Sequence, residues 1–584
     1  MGKNEVFFVN QNKIVFAEDG EILSDVCDRA GYPLDLVCGG KGTCGKCKVT
    51  IEVDEKQSEV LACLTEVNRN ISVYLTKNDI KKDAKILSNG IKLKEYRGCI
   101  SKKDFEIDKY KVKHCGNYFD QIKIDDNTDI SLGNLMKFSN LIKRTKNITV
   151  IYENNEVLDV REKTSDLDLY GAAVDIGTTT VVMFLYNITN FKLMGVYSAT
   201  NGQTSLGADV ISRILHARSD EGLKQLNDKI IKTINQLIDK AEETHKGVVD
   251  NLYKMILCGN STMQQLFLNL NPENLGTSPF LSVTQDLVKG NARELNIKGN
   301  NNMKFEFLPL IGGFVGGDTV SVLASLGDTK ENKLVIDLGT NGELAIGNPD
   351  KYLVASTACG PALEGAGISW GMRGTEGAIE RFKIVDDEIK IDVIGNSQPI
   401  GICGSGIVDI ISELLDHNFI DRTGKLLDKE EYIAKHGKIK LADNLMEIDG
   451  VKSFLISRDG NKTVYINQKD IRHIQLAKSA IVSGCKILIK ESGLREEEIS
   501  EIVLSGAFGN YINIKNAVKI GLLPNIKDIP IASIGNGAGL GVQKYLLDKN
   551  IRKLVNKIKE NSHHIELSTN SEFQNEYIKN MDFE

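Results

Sequence analysis

Short runs of alternating apolar and polar residues open the chain. EVFFVNQNKIVFA predicts two brief strands around an asparagine turn, EILSDVCDRAG an amphipathic helix ending at Gly31, and KCKVTIEV and ISVYL two further strands. The texture changes at 78–97, where KNDIKKDAKILSNGIKLKEY is charged and partly helical and reads as a linker. Residues 98–168 hold strands such as NITVIYE and form a small α/β unit. From 169 to 550, fuller apolar strands lead into glycine turns: AAVDI before Gly177, LVIDL before Gly339, EIVLS before Gly506. The small-residue run ASIGNGAGLGV at 532–542 then opens a helix suited to close packing across a seam. After 551 the chain is helix-prone, then polar, and is expected to fray. The expected pieces are therefore 1–77, 78–97, 98–168, 169–550 and 551–584.

Composition narrows the function classes. The 584 residues have room for about four domains of ~150 residues. A net charge of −7 with interspersed signs gives no basic footprint for nucleic acid. The polar N-terminus and the lack of a long apolar run predict no membrane span and a cytoplasmic home. Eleven cysteines are too dilute for a disulfide scaffold and fit a reducing compartment.

Four of those cysteines carry chemistry. Cys38, Cys44, Cys47 and Cys63 follow C-x5-C-x2-C with a fourth shortly after, in VCGGKGTCGKCKV…LACL. Plant-type ferredoxins hold a [2Fe–2S] cluster on a near variant of this spacing. Glycines 39, 40, 42 and 45 let a loop fold tightly around a cluster and bring backbone N–H groups to its sulfurs. A structural zinc site is the competing reading of the CxxC pair, but no second CxxC follows, and the flanking strands and helix are ferredoxin-like. Cys27, on the predicted helix, reads as core.

A second signal lies in the glycine turns. In GAAVDIGTTTVVMFLY, the turn at Gly177, Thr178, Thr179 and Thr180 offers amide and hydroxyl donors to a phosphate, and Asp175 ends the strand where it can hold Mg²⁺ through water. The pattern returns in LVIDLGTNGELAIG, with Asp337, Gly339, Thr340 and Asn341, about 160 residues on. Two such hairpins predict two similar halves gripping a polyphosphate across a cleft. Gly506, Ala507 and Phe508, in EIVLSGAFGN, suit the close approach of a nucleoside.

In this order the motifs resemble the acetate and sugar kinase, Hsc70 and actin superfamily, whose fold is two α/β lobes with ATP–Mg²⁺ between them. The whole chain resembles the reductive activators of corrinoid proteins. That likeness extends to NGQTSLGADVISRI (201–214), CGNSTM (258–263), PLIGGFVGGDTVSVLAS (309–325), CGPALEGAGISWGMRG (359–374) and GICGSGIVD (401–409). The fold class expected is multidomain α+β and α/β: an N-terminal β-grasp ferredoxin-like domain, a small middle α/β domain and a large two-lobed ATPase. The resemblance implies an ATP-dependent enzyme that passes one electron from its cluster to an inactive Co(II) corrinoid, restoring Co(I) for methyl transfer. Its partners would be a corrinoid protein and an external electron donor. The purpose of the middle unit is left open by its sequence, with a homodimer contact as one candidate role. Family members commonly carry a longer insertion between the third and fourth cysteines than the 48–62 stretch here, which alters the surface beside the cluster.

A plant-type cluster sits near about −400 mV. The Co(II)/Co(I) couple lies lower by the same resemblance, and each ~59 mV uphill costs a factor of ten for one electron. The expected offset is binding energy that stabilises the Co(II) complex in a form easier to reduce, with ATP hydrolysis then separating the partners. Two alternatives stay open: an ATP-driven reductase for another low-potential acceptor, like the dehydratase activators, and a non-enzymatic actin- or Hsc70-like switch.

Asp318 has two readings. The superfamily often supplies from this region the carboxylate that orients attacking water, and a helix N-cap worth about 1 kcal/mol is equally compatible. Glu343 and Asp209 read either as cleft residues or as solvated or capping carboxylates. Cys359, Cys403 and Trp370 read as buried or packed, and His114, Cys115, His563 and His564 as exposed loop or tail.

Overall fold

The first alternating runs pair as their periodicity requires. The computed structural model describes residues 3–30, 32, 34, 42, 47–54, 56–75, 98–108, 116–165, 167–339, 341–459, 462–506, 511–527 and 529–583. Lys3–Phe8 and Lys13–Glu18 form an antiparallel hairpin with Val6 opposite Val15. Asn12 makes the turn at φ 48°, a left-handed conformation that asparagine tolerates. Ile71–Tyr74 lies parallel to the first strand, and Lys48–Val53 and Lys56–Leu61 complete a five-stranded sheet. Helix Leu23–Arg29 shares its core: Val6, Phe8, Val26, Cys27 and Val73 are fully buried. This is the expected β-grasp arrangement, and Cys27 is core. The linker at 78–97 lies outside the described residues, as do His114 and Cys115.

A four-stranded sheet follows, in the order Ile100–Glu106, Asn147–Glu153, Glu156–Glu162, Asp129–Ile130, with helix Leu132–Leu141 against it. Two charged clusters fasten it to the next sheet. Asp159, almost fully buried, accepts from Lys137, Arg161 and the Tyr253 hydroxyl. Lys254, equally buried, bonds both Glu153 and Glu306, and Arg552 and Tyr545 complete the shell of Glu306.

The rest is built twice. Tyr170–Ile176 pairs antiparallel with Thr180–Asn187, which pairs with Lys192–Thr200; on its other side it lies parallel to Leu252–Gly259. Asn332–Leu338 repeats the scheme with Gly342–Asn348, Lys351–Thr357 and Ile499–Ser505. Each sheet reaches six strands, and the second is closed by the short strand Ser562–His564. The central strand of each sheet carries its aspartate, Asp175 or Asp337, one residue before its end.

Helices Gly317–Ser325 and Gly537–Leu547 join the lobes in direct backbone contact. A Cβ on Gly541 would meet the Ser321 carbonyl oxygen at 1.9 Å, so only glycine permits the crossing. The Ser321 hydroxyl donates to the Ala538 carbonyl across it at 2.6 Å.

The residues after 551 do not fray. Helix Lys549–Asn561 buries Leu554, Val555 and Ile558. Helix Ser571–Lys579 packs on the long helix Gln468–Ser492, and Phe583 is 3 % exposed with its amide on the Arg422 carbonyl. A polar surface run here covers a few well-placed apolar anchors. His563 is exposed as expected, but His564 is half-buried, its ring against Gly312.

Candidate functional site

The turn geometry brings two of the four N-terminal cysteines side by side. Cys47 immediately precedes strand Lys48–Val53 and Cys63 sits in the short helical turn Ala62–Leu64. Their sulfurs are 3.1 Å apart, too far for a disulfide. Gly42, at φ 71°, lies against Leu64, whose Cδ1 would lie 2.3 Å from a Cβ there. Two buried sulfurs at this spacing fit a thiolate-held cluster. Cys38 and Cys44 lie outside the described residues.

The two central-strand aspartates face one cleft of about 320 Å³ between the lobes. Asp175, Gly177, Thr178, Thr179, Thr180, Asp318, Asp337, Gly339, Asn341 and Gly506 all line it; Thr340, Ala507 and Phe508 lie outside the described residues. Gly506, at φ 96°, runs so close under the second hairpin that a Cβ would meet the Leu338 carbonyl at 2.3 Å.

Glu343 also lines the cleft, so it is no solvated carboxylate. Asp209 is a capping one: exposed, it accepts from the Ser212 amide at the start of helix Val210–His216. Asp318 is not the N-cap of its helix, a position Gly316 holds; its carboxylate accepts the Thr319 amide at 2.7 Å and faces the cleft.

Crowded carboxylates in a desolvated space resist ionisation. Burial first, then the charges of Asp337 and Asp175, push Asp318 up to about 7, against the Thr319 amide. Burial pushes Asp337 up to about 6, with Ser505 pulling the other way and Asp175 adding to the rise. Burial likewise raises Asp175, against Asn536, and raises Glu343 far above the carboxylate range. Among the described residues no three acidic, cysteine or histidine side chains come close enough to hold an ion directly. Asp175, Asp318 and Asp337 are oxygen donors of the kind a hydrated hard cation takes, since Mg²⁺ keeps several of its waters.

Several cleft residues were not singled out from sequence. Asn536 donates to Asp175 at 2.9 Å while its own oxygen accepts the Gly539 amide, capping the joining helix. Asn260 caps helix Ser261–Phe267 and donates to the Thr178 hydroxyl at 3.1 Å, leaving that hydroxyl's proton for another acceptor. Arg373 brings a positive charge, and Glu364, Glu380, Ser405 and Tyr511 complete the wall. An asparagine just before a glycine or serine helix start was the available signal. Cys403 lines the cleft at the start of helix Gly404–Asp416, and Cys359 lies 3.7 Å from the Gly339 carbonyl. Trp370 packs edge-on to Tyr465 at 6.0 Å.

Comparison with known proteins matches this architecture. The 2Fe-2S iron-sulfur cluster binding domain matches residues 7–68, the RACo middle region 170–330, and the C-terminal domain of RACo, the ASKHA domain, 331–584. The corrinoid activation enzyme RamQ of Eubacterium limosum is 39% identical over 96% of both chains. The [Co(II) methylated amine-specific corrinoid protein] reductase of Methanosarcina barkeri is 25% identical over 70% of this chain and 76% of its own. A solved structure of a reductive activator for a corrinoid, iron-sulfur protein superposes with a TM-score of 0.75 at 28% identity, covering 99% of this chain and 98% of that one. An identity of 39% over 96% of both chains, with the two RACo family models covering 170–330 and 331–584, means that the chain belongs to the RACo family of corrinoid activators.

Proposed function

We propose that the protein is an ATP-dependent reductive activator of a corrinoid protein. The observation that carries this reading is the presence in one chain of a cluster-type cysteine pair and a carboxylate-lined cleft between two repeated lobes. Bound by Cys38, Cys44, Cys47 and Cys63, a [2Fe–2S] cluster would supply the single electron that takes Co(II) to Co(I). Thr178, Thr179, Thr180, Thr340 and Asn341 present donors to the phosphates of ATP, with Gly177 and Gly339 shaping the turns. Asp175 and Asp337 would hold Mg²⁺ through water, and the ion would neutralise phosphate charge. Gly506, Ala507 and Phe508 flank the nucleoside. Asp318 orients the water that attacks the terminal phosphate and, with its raised affinity for protons, is suited to accept one. Nucleotide acts by changing the affinity of the protein for its partner, not by chemistry on cobalt.

We divide the chain into a ferredoxin-like unit (1–77), a linker (78–97), a small sheet unit (98–168) and an ATPase from 169 that, by the packing of its last helices, runs to 583. Helix Leu132–Leu141 exposes Leu132, Leu135 and Met136, an apolar face that supports a homodimer contact on the small unit. Among the described residues no helix is long and apolar enough to cross a membrane. A reducing cytoplasm, with a low-potential donor to recharge the cluster, is the setting we propose.

The test is anaerobic. Reduced protein is mixed with a Co(II) corrinoid protein and cobalt absorbance is followed with and without MgATP. Co(I) forming only with ATP is the expected result; full reduction without nucleotide overturns the coupling. Asp318→Asn should bind nucleotide yet lose turnover, and wild-type hydrolysis would remove Asp318 from its role.

A further inference from the structure

The segment NGQTSLGADVISR, 201–213, lies directly behind the first phosphate loop and holds three consecutive carbonyls of it. The Asn201 side chain donates to the Gly177 carbonyl at 2.9 Å. Arg213 donates through Nη2 to the Thr178 carbonyl at 2.5 Å. The Asn201 amide donates to the Thr179 carbonyl at 2.9 Å. In a trans peptide the carbonyl and the following N–H point in opposite directions. Anchoring the Gly177 and Thr178 carbonyls on the rear therefore turns the amides of Thr178 and Thr179 toward the cleft that both residues line. Among the described residues neither amide donates to any other acceptor.

Arg213 is more than a spacer. It is 0 % exposed, and among the described residues no carboxylate forms an ion pair with it. Its other donors go to the Gly207 carbonyl at 2.9 Å, the Gln203 side-chain oxygen at 3.2 Å and the Met263 sulfur at 3.3 Å. Gly207 makes the space: a Cβ there would lie 2.7 Å from Arg213 Cγ. Asp209, whose charge acts on it, is exposed and committed to capping its helix. Burial pulls the guanidinium down to about 9, with Asp209 opposing, so the group stays charged at neutral pH. A buried cation without a buried counter-ion is costly unless an anion completes it.

We propose that Arg213 is a positioning residue for the nucleotide's phosphates: through the Thr178–Thr179 peptide it fixes the loop amides toward them and lends them its uncompensated charge. The proposal rests on the reading of the cleft as an ATP site. It predicts discrimination by phosphate rather than by nucleoside, because Arg213 backs only the first hairpin.

Affinities for MgATP, MgADP and adenosine, the last by competition, should be measured in the wild type, Arg213→Met and Arg213→Lys, with melting curves to establish folding. Losing a charge-assisted hydrogen bond should weaken MgATP and MgADP by about 10- to 100-fold in Arg213→Met and leave adenosine unchanged. Arg213→Lys keeps the charge but not the fork of donors and should recover part of the loss. If Arg213→Met fails to fold, the lysine variant decides: its loss should fall on the phosphorylated ligands alone. Equal losses for adenosine and ATP, or no loss, overturn the proposal. A wild type that binds adenosine but gains nothing from phosphates, or binds no nucleotide, overturns the reading of the cleft itself.

Discussion

Replacing Glu306 with glutamine should weaken the joint between the small sheet and the first ATPase lobe. Glu306 is 4 % exposed and is gripped by Lys254 at 2.5 Å, by Arg552 at 2.7 and 2.8 Å and by the Tyr545 hydroxyl at 2.9 Å. Burial alone would raise its affinity for a proton, but Lys254 and Arg552 more than reverse this and carry its pKa from 4.5 down to about 2. That difference of roughly 2.5 units corresponds to about 3 kcal/mol of stabilisation at neutral pH, at 1.36 kcal/mol per unit. Breaking a buried ion pair on one side is known independently to cost about 3–5 kcal/mol, so the two routes agree. Because the folded-state pKa is depressed, the contribution is complete above about pH 4.5 and disappears as pH falls toward 2. Hydrogen exchange at the amides of strand Leu252–Gly259 reads the local opening energy, which a single global transition in a chain of several domains does not. Glu306→Gln should lower protection there by about 3 kcal/mol, evenly from pH 8 to 5. Pairing it with Arg552→Gln should cost less than the sum of the two single changes. A loss below about 1 kcal/mol would refute the reasoning, since desolvation would then cancel the pairing.

Three further outcomes follow from close contacts. Gly541→Ala, with its Cβ 1.9 Å from the Ser321 carbonyl, must part the joining helices; a stability loss of about 3 kcal/mol and weaker nucleotide binding are expected from melting and titration. Phe583→Ala should cost about 3 kcal/mol by urea unfolding, because its ring is 3 % exposed against the second lobe; no change would mean the C-terminal anchor is idle. Cys63→Ala should abolish visible cluster absorbance and cobalt reduction while ATP hydrolysis continues, and retained absorbance would show that Cys63 is not a ligand.

What was legible in the sequence had local carriers. The cysteine spacing lies within 26 residues, and each Asp-x-Gly-Thr hairpin within a dozen, so periodicity and turn chemistry reveal them without knowledge of the fold. Asn536 and Asn260 escaped because each looks like a helix cap, which it is, while its second bond goes to a residue far along the chain. Lys254 escaped for another reason. In LYKMILCG it marks a polar break in an apolar strand, which usually means a solvated face. Here the small sheet covers that face and supplies Glu153. The tail misled because its polar run hides Phe583 and the strand Ser562–His564, whose value depends on an edge made some 200 residues earlier.

The bond from Asn536 to Asp175 spans 361 positions of chain. At ~5–20 residues per second, the first Asp-x-Gly-Thr hairpin leaves the ribosome about 20–70 s before the residue that steadies its aspartate. Strand Ser562–His564, which closes the second sheet, is made later still. The ferredoxin-like unit, by contrast, is complete before the first lobe begins. During synthesis the protein is thus able to gain its redox centre long before it can turn over nucleotide, and a ribosome that stalls midway leaves an electron carrier with no motor.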